Sequence, residues 1–416
     1  MRALYTLGIL LYTLGIRVVA MFGHHKARLM VQGWRQWRDK AASLDQERPV
    51  AWFHASSMGE FEQARPVIER FRAENSQYQV VLTFFSPSGY EACKNYRHAE
   101  VVCYLPPDLP WHVGRFIGTC RPCAAYFVKY DHWFNYLHAM RKRQEAPVYI
   151  FSAIFRPGQY FFRPWGRWFL LQLRTGYRHI FVQNEQSLQL LRVHGFTEVS
   201  LAGDTRYDRV NQIAREAAAD EVTERWLEAG PAEAPVVVAG STWPPDERLL
   251  AEVMQSEEAL PVRWVVAPHV VSRAHVESLR SLPGSTVLYS ELKSGNGDPS
   301  ARVLIVDNIG LLSRLYRYAR VAYIGGGFGV GIHNTLEAIA FGKPVIFGPN
   351  YSKFQEAHDI LALGGGWTVE DADQMKQALL PLLDSGAPYD AATEACRTLM
   401  RRNLGSTDII LPLAKP

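Results

Sequence analysis

Short apolar segments alternate with amphipathic helical patterns beyond residue 48, and this alternation limits the fold more than any other feature. In the first half the apolar runs predict strands at residues 50–55, 80–84, 101–105, 124–128, 148–152 and 180–183. Helical patterns fall between or after them, at residues 60–72, 133–143 and 186–194. Strands separated by crossover helices pair in parallel, so the pattern predicts a Rossmann-like α/β domain.

A second series of the same kind follows a charged, alanine-rich stretch, residues 209–235. Its predicted strands are residues 236–239, 264–267, 303–306, 321–324 and 345–347, and its predicted helices are 311–318 and 334–341. A chain of 416 residues has room for two such domains. We therefore predict two Rossmann-like domains facing a cleft, residues 23–208 and 236–416, joined by a linker region, residues 209–235.

The first 22 residues have a different character. Residues 3–22 form an apolar run interrupted only by Arg17, and twenty helical residues span about 30 Å, the thickness of a bilayer core. Basic residues such as Lys26 and Arg28 follow the run and outnumber Arg2 before it. The pattern predicts a membrane anchor, residues 1–22, with the body of the chain on the cytoplasmic side. A helix that lies in the membrane interface is the open alternative.

Charge and cysteine content exclude some classes of protein. The 45 basic and 41 acidic residues give a net charge of only +4, which does not indicate a nucleic-acid partner. Five cysteines, an odd and sparse set, argue against a disulfide framework. Asp371 and Asp373 have the D-x-D form of some metal-dependent sugar transferases, but acidic residues are ordinary where a helix begins. We expect neither a metal nor another cofactor.

Residues 323–337 carry the strongest local motif. A predicted strand ends there, glycines follow, and a helix is predicted to open at Asn334 with Glu337 in its first turn. Backbone N–H groups at a helix start favour a phosphate, and Glu337 can accept hydrogen bonds from a ribose diol. The spacing matches neither the dinucleotide fingerprint nor the P-loop. The motif predicts a nucleotide site, the alternative being a glycine-rich loop with Asn334 as an ordinary N-cap.

Other polar or glycine-containing segments follow neighbouring strands of the second domain. Ser241 and Thr242 follow one strand, Pro268 and His269 another, and residues 307–311 a third. Because carboxyl ends of parallel strands meet at one edge of a sheet, these segments predict the rim of a binding site.

Glu60 is the candidate acid of the first domain. It lies shortly after the first strand, where a helix is predicted to begin. A carboxylate there can take the proton of an acceptor hydroxyl, a role worth about 10² to 10⁴ in rate. The alternative is a carboxylate placed to interact with the helix dipole.

Arginines alternate with aromatic residues between positions 155 and 169. Arg156, Arg163 and Arg167 are the basic members. This mixture suits a phosphorylated lipid at a membrane surface. A half-buried helix with a basic face is the alternative.

With these motifs the chain resembles the transferases that move 3-deoxy-D-manno-octulosonic acid (Kdo) from CMP-Kdo to the lipid A precursor. The resemblance rests on residues 57–60, 203–208, 241–242, 331–338 and 342–349. It implies a metal-independent, inverting transferase of the GT-B fold with Glu60 as the catalytic base. The implied CMP-binding positions are Pro268, His269, Ile309, Gly310, Leu311, Asn334, Thr335, Leu336 and Glu337.

The same resemblance implies an acceptor and a location. The acceptor is the 6′ hydroxyl of the lipid A precursor (lipid IVA), and the enzyme works at the cytoplasmic face of the bacterial inner membrane, in lipopolysaccharide core synthesis. The expected partners are CMP-Kdo, the lipid A precursor and the membrane lipid surface. Further substrate contacts are expected at Ser57, Gly59, Asp131, Ser241 and Thr242.

The chain departs from the family at two places. Where relatives often have Glu-Thr-Glu-Leu-Trp-Pro-Asn, residues 129–135 begin with Lys129 and carry the shorter Asp131, and His269 replaces an arginine. Two alternatives stay open. One is a transferase that uses another nucleotide sugar on the same fold. The other is a catalytically silent, membrane-bound protein that binds a nucleotide or lipid.

Overall fold

The computed structural model describes residues 1–144, 146–232, 234–256 and 262–416. It forms two compact units, an N-terminal unit of Met1–Arg209 with Leu404–Pro416 and a C-terminal unit of Val210–Asn403. Each unit contains a seven-stranded sheet in which all strand pairs are parallel. The predicted class, two α/β domains with parallel sheets, is confirmed.

The N-terminal sheet has the strand order β3-β2-β1-β4-β5-β6-β7. Its strands are β1 Val50–Ala55, β2 Gln79–Phe84, β3 Val101–Tyr104, β4 Pro122–Val128, β5 Val148–Ala153, β6 His179–Val182 and β7 Val199–Leu201. The helices are α1 Arg2–Met21, α2 His25–Ala41, α3 Met58–Glu74, α4 Pro87–Cys93, α5 Pro110–Cys120, α6 Phe134–Ala139, α7 Arg167–Gly176 and α8 Glu185–Val193, with a π-helix at Met140–Gln144. The order reverses between β1 and β4, which is where ligands bind in open α/β sheets.

This sheet is buried on both faces, as its continuous apolar strands require. Trp52 packs in the core on one face and Phe53 in the core on the other, because successive side chains of a strand point to opposite sides. The strand β1 ends at Ala55, so the residues that follow it lie at the carboxyl edge of the sheet.

The C-terminal sheet has the order β10-β11-β9-β8-β12-β13-β14 and reverses between β8 and β12. Its strands are β8 Val236–Thr242, β9 Arg263–Pro268, β10 Thr286–Leu288, β11 Val303–Ile305, β12 Val321–Ile324, β13 Val345–Phe347 and β14 Gly366–Thr368. The remaining helices are α9 Arg206–Glu216, α10 Glu221–Glu228, α11 Pro244–Met254, α12 Arg273–Ser278, α13 Tyr289–Ser294, α14 Leu312–Leu315, α15 Leu336–Ile339, α16 Gln355–Leu363, α17 Ala372–Leu383, α18 Ala387–Asn403 and α19 Ser406–Leu413.

The predicted end of the second domain is wrong. Residues 404–416 were expected in the domain 236–416, but they belong to the N-terminal unit. Asp208 accepts hydrogen bonds from the backbone N–H groups of Gly405 and Thr407, at 2.8 and 2.7 Å, and so caps α19. Ile410 is buried in the N-terminal core, and the Tyr126 hydroxyl donates to the carbonyl of Ala414 at 2.8 Å. Long-range burial of an apolar helix decides this boundary, and no local motif marks it.

The predicted linker, residues 209–235, is also structured. It contains most of α9 and the whole of α10, and only residue 233 lies outside the described part of the chain. The carboxylate of Asp220 caps α10 by accepting from the N–H of Thr223 at 2.8 Å. Trp226 is fully buried and donates to the carbonyl of Ala301 at 2.7 Å. These contacts make the stretch part of the C-terminal unit, despite its charged surface.

Among the described residues, α1 is the one helix long and apolar enough to cross a membrane. One face of it is docked on the N-terminal unit: Arg2 Nε donates to Asn135 Oδ1 at 2.9 Å, and the Tyr5 hydroxyl donates to Asp108 Oδ2 at 2.7 Å. The other face leaves apolar side chains in the open, among them Leu4 and Leu11, each more than 60% exposed. The helix is therefore part of the folded unit and presents an apolar outer face.

Candidate active and nucleotide sites

Three residues other than glycine adopt left-handed backbone conformations at the carboxyl ends of central strands. Lys129 (φ 63°) follows β4, Ser152 (φ 50°) lies near the end of β5, and Ser241 (φ 54°) lies near the end of β8. Such conformations cost of order 1–3 kcal/mol each and cluster at functional sites. The carboxyl edge of each sheet is therefore a candidate functional site.

Glu60 lies on the first turn of α3, immediately beyond β1. Ser57 precedes the helix in extended conformation, and its hydroxyl donates to the Glu60 carboxylate. Gly59 lies between them, and Glu60 is partly exposed. The structure thus brings Ser57, Gly59 and Glu60 together at the N-terminus of a 17-residue helix, where the dipole favours an ionised carboxylate.

Asp131 follows β4, the strand next to β1. Its Oδ1 accepts a hydrogen bond from the Ser56 hydroxyl at 2.6 Å, while its Oδ2 is buried with no hydrogen-bond partner among the described residues. Burial, and then the charge of Glu60, raises the pKa of Asp131 to about 7 against the effect of Ser56. A carboxyl group that keeps much of its proton near neutral pH is able to act as a hydrogen-bond donor or an acid.

His54, the fifth residue of β1, was not predicted as a site residue. Its Nδ1 lies 3.1 Å from the Thr83 carbonyl, and its Nε2 accepts from the indole N–H of Trp133 at 3.0 Å. Burial lowers the pKa of His54 to about 3, so the ring is neutral. The 3.7 Å separation between its Nε2 and Asp131 Oδ2 is therefore not an ion pair. A histidine inside an otherwise apolar strand was the available signal.

Residues 129–135 link this edge to α1. At one end Asp131 contacts Ser56, and at the other Asn135 is fully buried and donates its backbone N–H to Asp108 Oδ2 at 3.0 Å. Burial raises the pKa of Asp108 to about 6, against the hydrogen bonds it accepts. Because Asn135 and Asp108 also bind Arg2 and Tyr5 of α1, the helix is hydrogen-bonded to one end of the segment whose other end carries Asp131.

The glycine-rich loop of the C-terminal unit follows β12 and packs against the end of β8. A Cβ at Gly325 would collide with the carbonyl of Ser241, so the close approach requires glycine. Asp246 of α11 fixes the loop by accepting from the N–H of Gly326 at 2.9 Å. The Thr242 hydroxyl is buried and donates to Glu247 at 3.0 Å, whereas Ser241 stays partly exposed.

The predicted helix at 334–341 is wrong in extent. Only Leu336–Ile339 is helical, because the chain turns through a left-handed Gly342 (φ 70°) and continues into Pro344. A single turn has little macrodipole, so the expected helix stabilisation of a leaving phosphate is not supported.

The predicted CMP positions in this segment divide into two kinds. Asn334 Oδ1 accepts from the N–H of Leu336 at 3.2 Å, and its Nδ2 donates to Glu337 at 3.1 Å. Asn334 and Glu337 are partly exposed, while the side chains of Thr335 and Leu336 are fully buried. Asn334 and Glu337 are thus the members whose side chains reach the surface.

The other predicted nucleotide positions lie at the ends of β9 and β11. Pro268 closes β9, and the His269 N–H donates to the Thr242 carbonyl at 2.9 Å. Beyond β11, Ile309 is 91% exposed, Gly310 is left-handed (φ 92°) and Leu311 precedes α14. Since β11, β9, β8 and β12 are neighbours in the sheet, the predicted rim is assembled at one edge.

The remaining motifs have structural roles. Asp371 caps α17 by accepting from the N–H of Gln374 at 2.8 Å, and Asp373 pairs with Lys376 at 2.8 Å. Within the described ranges no three His, Cys, Asp or Glu side chains are grouped to hold a metal ion. All five cysteines are free thiols.

Comparison with known proteins shows that the chain is similar to sugar transferases. Residues 32–209 match the family model described as 3-deoxy-D-manno-octulosonic-acid transferase (kdotransferase). A 3-deoxy-D-manno-octulosonic acid transferase of Bordetella pertussis is 26% identical over 86% of this chain and 84% of its own length. The Chlamydia pneumoniae transferase is 25% identical over 93% of this chain and 89% of its own.

Solved structures confirm the fold. The UDP-GlcNAc 2-epimerase of Neisseria meningitidis, bound to UDP-GlcNAc, superposes with a TM-score of 0.61 at 14% identity, covering 88% of this chain and 99% of the epimerase. The calicheamicin glycosyltransferase CalG4 superposes with a TM-score of 0.53 at 12% identity, covering 88% and 98%. These likenesses establish a GT-B-like fold. The expected resemblance is confirmed: the chain is similar over most of its length to 3-deoxy-D-manno-octulosonic acid transferases, and its residues 32–209 match the model of that family.

Proposed function

We propose that the protein transfers Kdo from CMP-Kdo to the 6′ hydroxyl of the lipid A precursor, lipid IVA, with inversion at the anomeric carbon. The observation that carries the proposal is the position of Glu60, at the sheet edge where the order of strands reverses, within the region that matches the family. The likeness to Kdo transferases suggests the class of donor, and the partly exposed carboxylate of Glu60 is the group that can accept the proton.

The proposed step moves one proton and one sugar. The acceptor oxygen attacks C2 of Kdo, the bond from C2 to the phosphate oxygen breaks, and CMP leaves with the electron pair. The hydroxyl proton passes to Glu60, and attack on the face opposite CMP inverts C2. Asp131, whose raised pKa of about 7 keeps a large fraction protonated near neutrality, can donate a hydrogen bond to the acceptor while Glu60 accepts one.

The C-terminal unit holds the donor in this proposal. Glu337 accepts hydrogen bonds from the ribose diol, with Asn334 orienting it through their 3.1 Å hydrogen bond. Ser57 and Ser241 are the candidate donors to the Kdo carboxylate. Thr242 is a weaker candidate, because its hydroxyl already serves Glu247. The remaining contacts to CMP are expected from the segments that follow β9 and β11, Pro268–His269 and residues 309–311. The step as written uses no metal ion.

The acceptor is a lipid, and one surface of the N-terminal unit suits a membrane. The helix α1, whose outer face is apolar and exposed, adjoins the segment of residues 155–169, because Tyr5 packs against Trp168 and Phe169. In that segment Trp165 is 65% exposed, and Arg163 and Arg167 are also exposed. We propose that this surface lies in the cytoplasmic leaflet of the bacterial inner membrane and that the arginines contact lipid phosphates. Docking of α1 along the protein supports a helix in the interface over one that crosses the bilayer.

A transfer assay on the full chain tests the function. The purified full-length protein, placed in lipid membranes, is supplied with lipid IVA and radiolabelled CMP-Kdo. The expected result is radiolabel in the lipid fraction. Transfer from a UDP- or GDP-sugar in place of CMP-Kdo would contradict the donor assignment. Binding of CMP without transfer of any sugar would instead identify a silent relative.

A further inference from the structure

The connector between β4 and α6 has no regular structure where it carries Asp131. Residues 131–133 belong to neither a helix nor a strand, and Lys129 before them has a left-handed conformation (φ 63°). The backbone hydrogen bonds of a helix or sheet therefore do not fix the direction of the Asp131 side chain. Its orientation depends on the side chains that contact this connector.

Side chains from two other parts of the N-terminal unit hold the connector. The Ser56 hydroxyl, just after β1, donates to Asp131 Oδ1 at 2.6 Å. The Tyr177 hydroxyl, between α7 and β6, donates to the backbone carbonyl of Asp131 at 3.0 Å. The indole N–H of Trp133 donates to His54 Nε2 at 3.0 Å, so the other end of the connector is also tied to β1.

The ring of His54 can serve as this anchor because its surroundings define its tautomer. Its Nδ1 lies 3.1 Å from the Thr83 carbonyl, and a carbonyl only accepts, so Nδ1 carries the proton. An indole N–H only donates, so Nε2 is the unprotonated nitrogen. Both contacts require the same neutral tautomer, and burial supports it by lowering the pKa of His54 to about 3. Thr83 is held in turn by the indole N–H of Trp52, which donates to its hydroxyl at 2.8 Å.

Trp133 connects the position of His54 to that of Asp131. Its ring packs against Phe85 at a centroid distance of 5.2 Å, and a single residue separates it from Asp131 in the chain. An indole that lost its acceptor would have to shift to reach another, and Asp131 would move with the connector. A misplacement of about 1 Å in a catalytic site can reduce the rate by about 10².

We propose that His54 is a positioning residue, which holds Trp133 and thereby fixes Asp131 beside the acceptor hydroxyl. The inference rests on the proposed function, because that function gives Asp131 its contact with the acceptor. His54 touches no substrate in this proposal and moves no proton. Loss of its hydrogen bond is therefore expected to lower turnover in Kdo transfer and to leave CMP binding unchanged.

Three variants of the full-length protein test the hydrogen bond. His54→Asn keeps an N–H group near the place of Nδ1 and loses the acceptor for the indole, whereas the longer His54→Gln can present its amide oxygen at the place of Nε2. Trp133→Phe removes the donor and keeps an aromatic ring against Phe85. Turnover at saturating CMP-Kdo and lipid IVA is expected to fall about 10-fold or more in His54→Asn and in Trp133→Phe. It should be at least about 3-fold higher in His54→Gln than in His54→Asn.

A double variant separates a shared hydrogen bond from two independent effects. The protein with both His54→Asn and Trp133→Phe should have a turnover within about 2-fold of the slower single variant, because both changes remove the same contact. Trp111→Phe, at a 49% exposed position on α5, is the control and should keep wild-type turnover. CMP calorimetry and melting temperatures are measured on the same preparations. If His54→Asn fails to fold, Trp133→Phe alone decides.

Each outcome bears on one claim. Near wild-type turnover in a folded Trp133→Phe protein would overturn the inference and leave the transfer function standing. Equal losses in His54→Gln and His54→Asn, or losses that multiply in the double variant, would do the same, because the indole contact would not be the cause. A parallel loss of CMP affinity would also contradict it. Absence of Kdo transfer by the wild type would overturn the proposed function itself, and with it the inference.

Discussion

The carboxyl edges of the two sheets share one backbone feature but differ in the chemistry of their side chains. Each has a left-handed residue next to the point where the strand order reverses, Lys129 in the N-terminal unit and Ser241 in the C-terminal unit. The N-terminal edge concentrates acids around a neutral, buried histidine. The C-terminal edge is built of glycine backbone, an exposed loop and the stacked rings of Trp243, His269 and His333. The first suits removal of a proton from a hydroxyl, and the second suits an anionic nucleotide.

This contrast teaches that one architecture is used for two tasks through the groups at its strand ends. In the N-terminal unit burial, and then the charge of Glu60, raises the pKa of Asp131 to about 7, so this carboxyl group keeps much of its proton near neutral pH. In the C-terminal unit Asp246 and Glu247 are engaged in fixing the loops. We therefore predict that substitutions at the N-terminal edge change turnover and that substitutions at the C-terminal edge change nucleotide binding.

The largest effect is expected for Glu60→Gln. Glutamine keeps the size of the side chain but cannot accept the proton, so turnover in Kdo transfer should fall by at least about 10². Glu62→Gln, on the same helix but paired with Arg209 at 3.1 Å, is the matched control and should keep near-normal turnover. Initial rates at saturating CMP-Kdo give the comparison. Near wild-type turnover in a well-folded Glu60→Gln protein would make Asp131 the next acid to test.

The next largest effect is expected at the nucleotide site of the C-terminal unit. If Glu337 accepts hydrogen bonds from the ribose, Glu337→Ala should weaken CMP binding by about 1.5–3 kcal/mol, the range for hydrogen bonds to a charged group. Glu252→Ala, an exposed position on α11, is the control. Calorimetry with CMP measures both. An unchanged Kd for Glu337→Ala would remove this residue from the site.

A smaller effect is expected on stability at Asp131. Its folded pKa, about 7, is raised above the ordinary value near 4, so the folded state holds the proton more tightly and the free energy of unfolding falls as pH rises from about 4 to 7. An asparagine side chain cannot ionise, so Asp131→Asn should raise the free energy of unfolding by roughly 1–3 kcal/mol at pH 8 relative to pH 4. Urea titrations at both pH values measure this, with the exposed Asp39→Asn as control. A stability difference that does not change with pH would show that folding does not raise the pKa of Asp131.

The smallest effect concerns the docking of α1. Tyr5→Phe removes the hydroxyl that donates to Asp108 at 2.7 Å, and should lower the free energy of unfolding by about 1 kcal/mol. The loss stays modest because the N–H groups of Asn135 and Tyr136 still donate to Asp108. Tyr12→Phe, 50% exposed on the same helix, should change stability little. Equal urea midpoints for the two variants would mean that the Asp108 contact does not hold the helix.

Sequence patterns predicted the central strands well because these are buried on both faces and therefore continuously apolar. The strands β7, β10 and β14 were missed. Each has three residues and includes a polar or glycine position, since strands at or near a sheet edge need not be apolar throughout. Helix extent was less predictable: residues 334–341 have helical character, but the turn at Gly342 leaves a single helical turn.

The candidate site divides in the same way. Glu60 and the glycine-rich loop were predictable because they combine a strand end, a turn and a helix start in a few residues. The pairing of His54 with Trp133, the stack at His269 and the return of α19 depend on residues far apart in the chain. Such partners are set by the folded topology and leave no local pattern.

The central claim, that proton removal and nucleotide binding belong to different edges, is tested most directly by CMP calorimetry on the Glu60→Gln protein whose turnover has been measured. We predict a CMP Kd within about 2-fold of the wild-type value, while turnover in Kdo transfer by the same preparation is reduced by a factor of at least about 10². A loss of CMP affinity that parallels the loss of turnover would contradict the division.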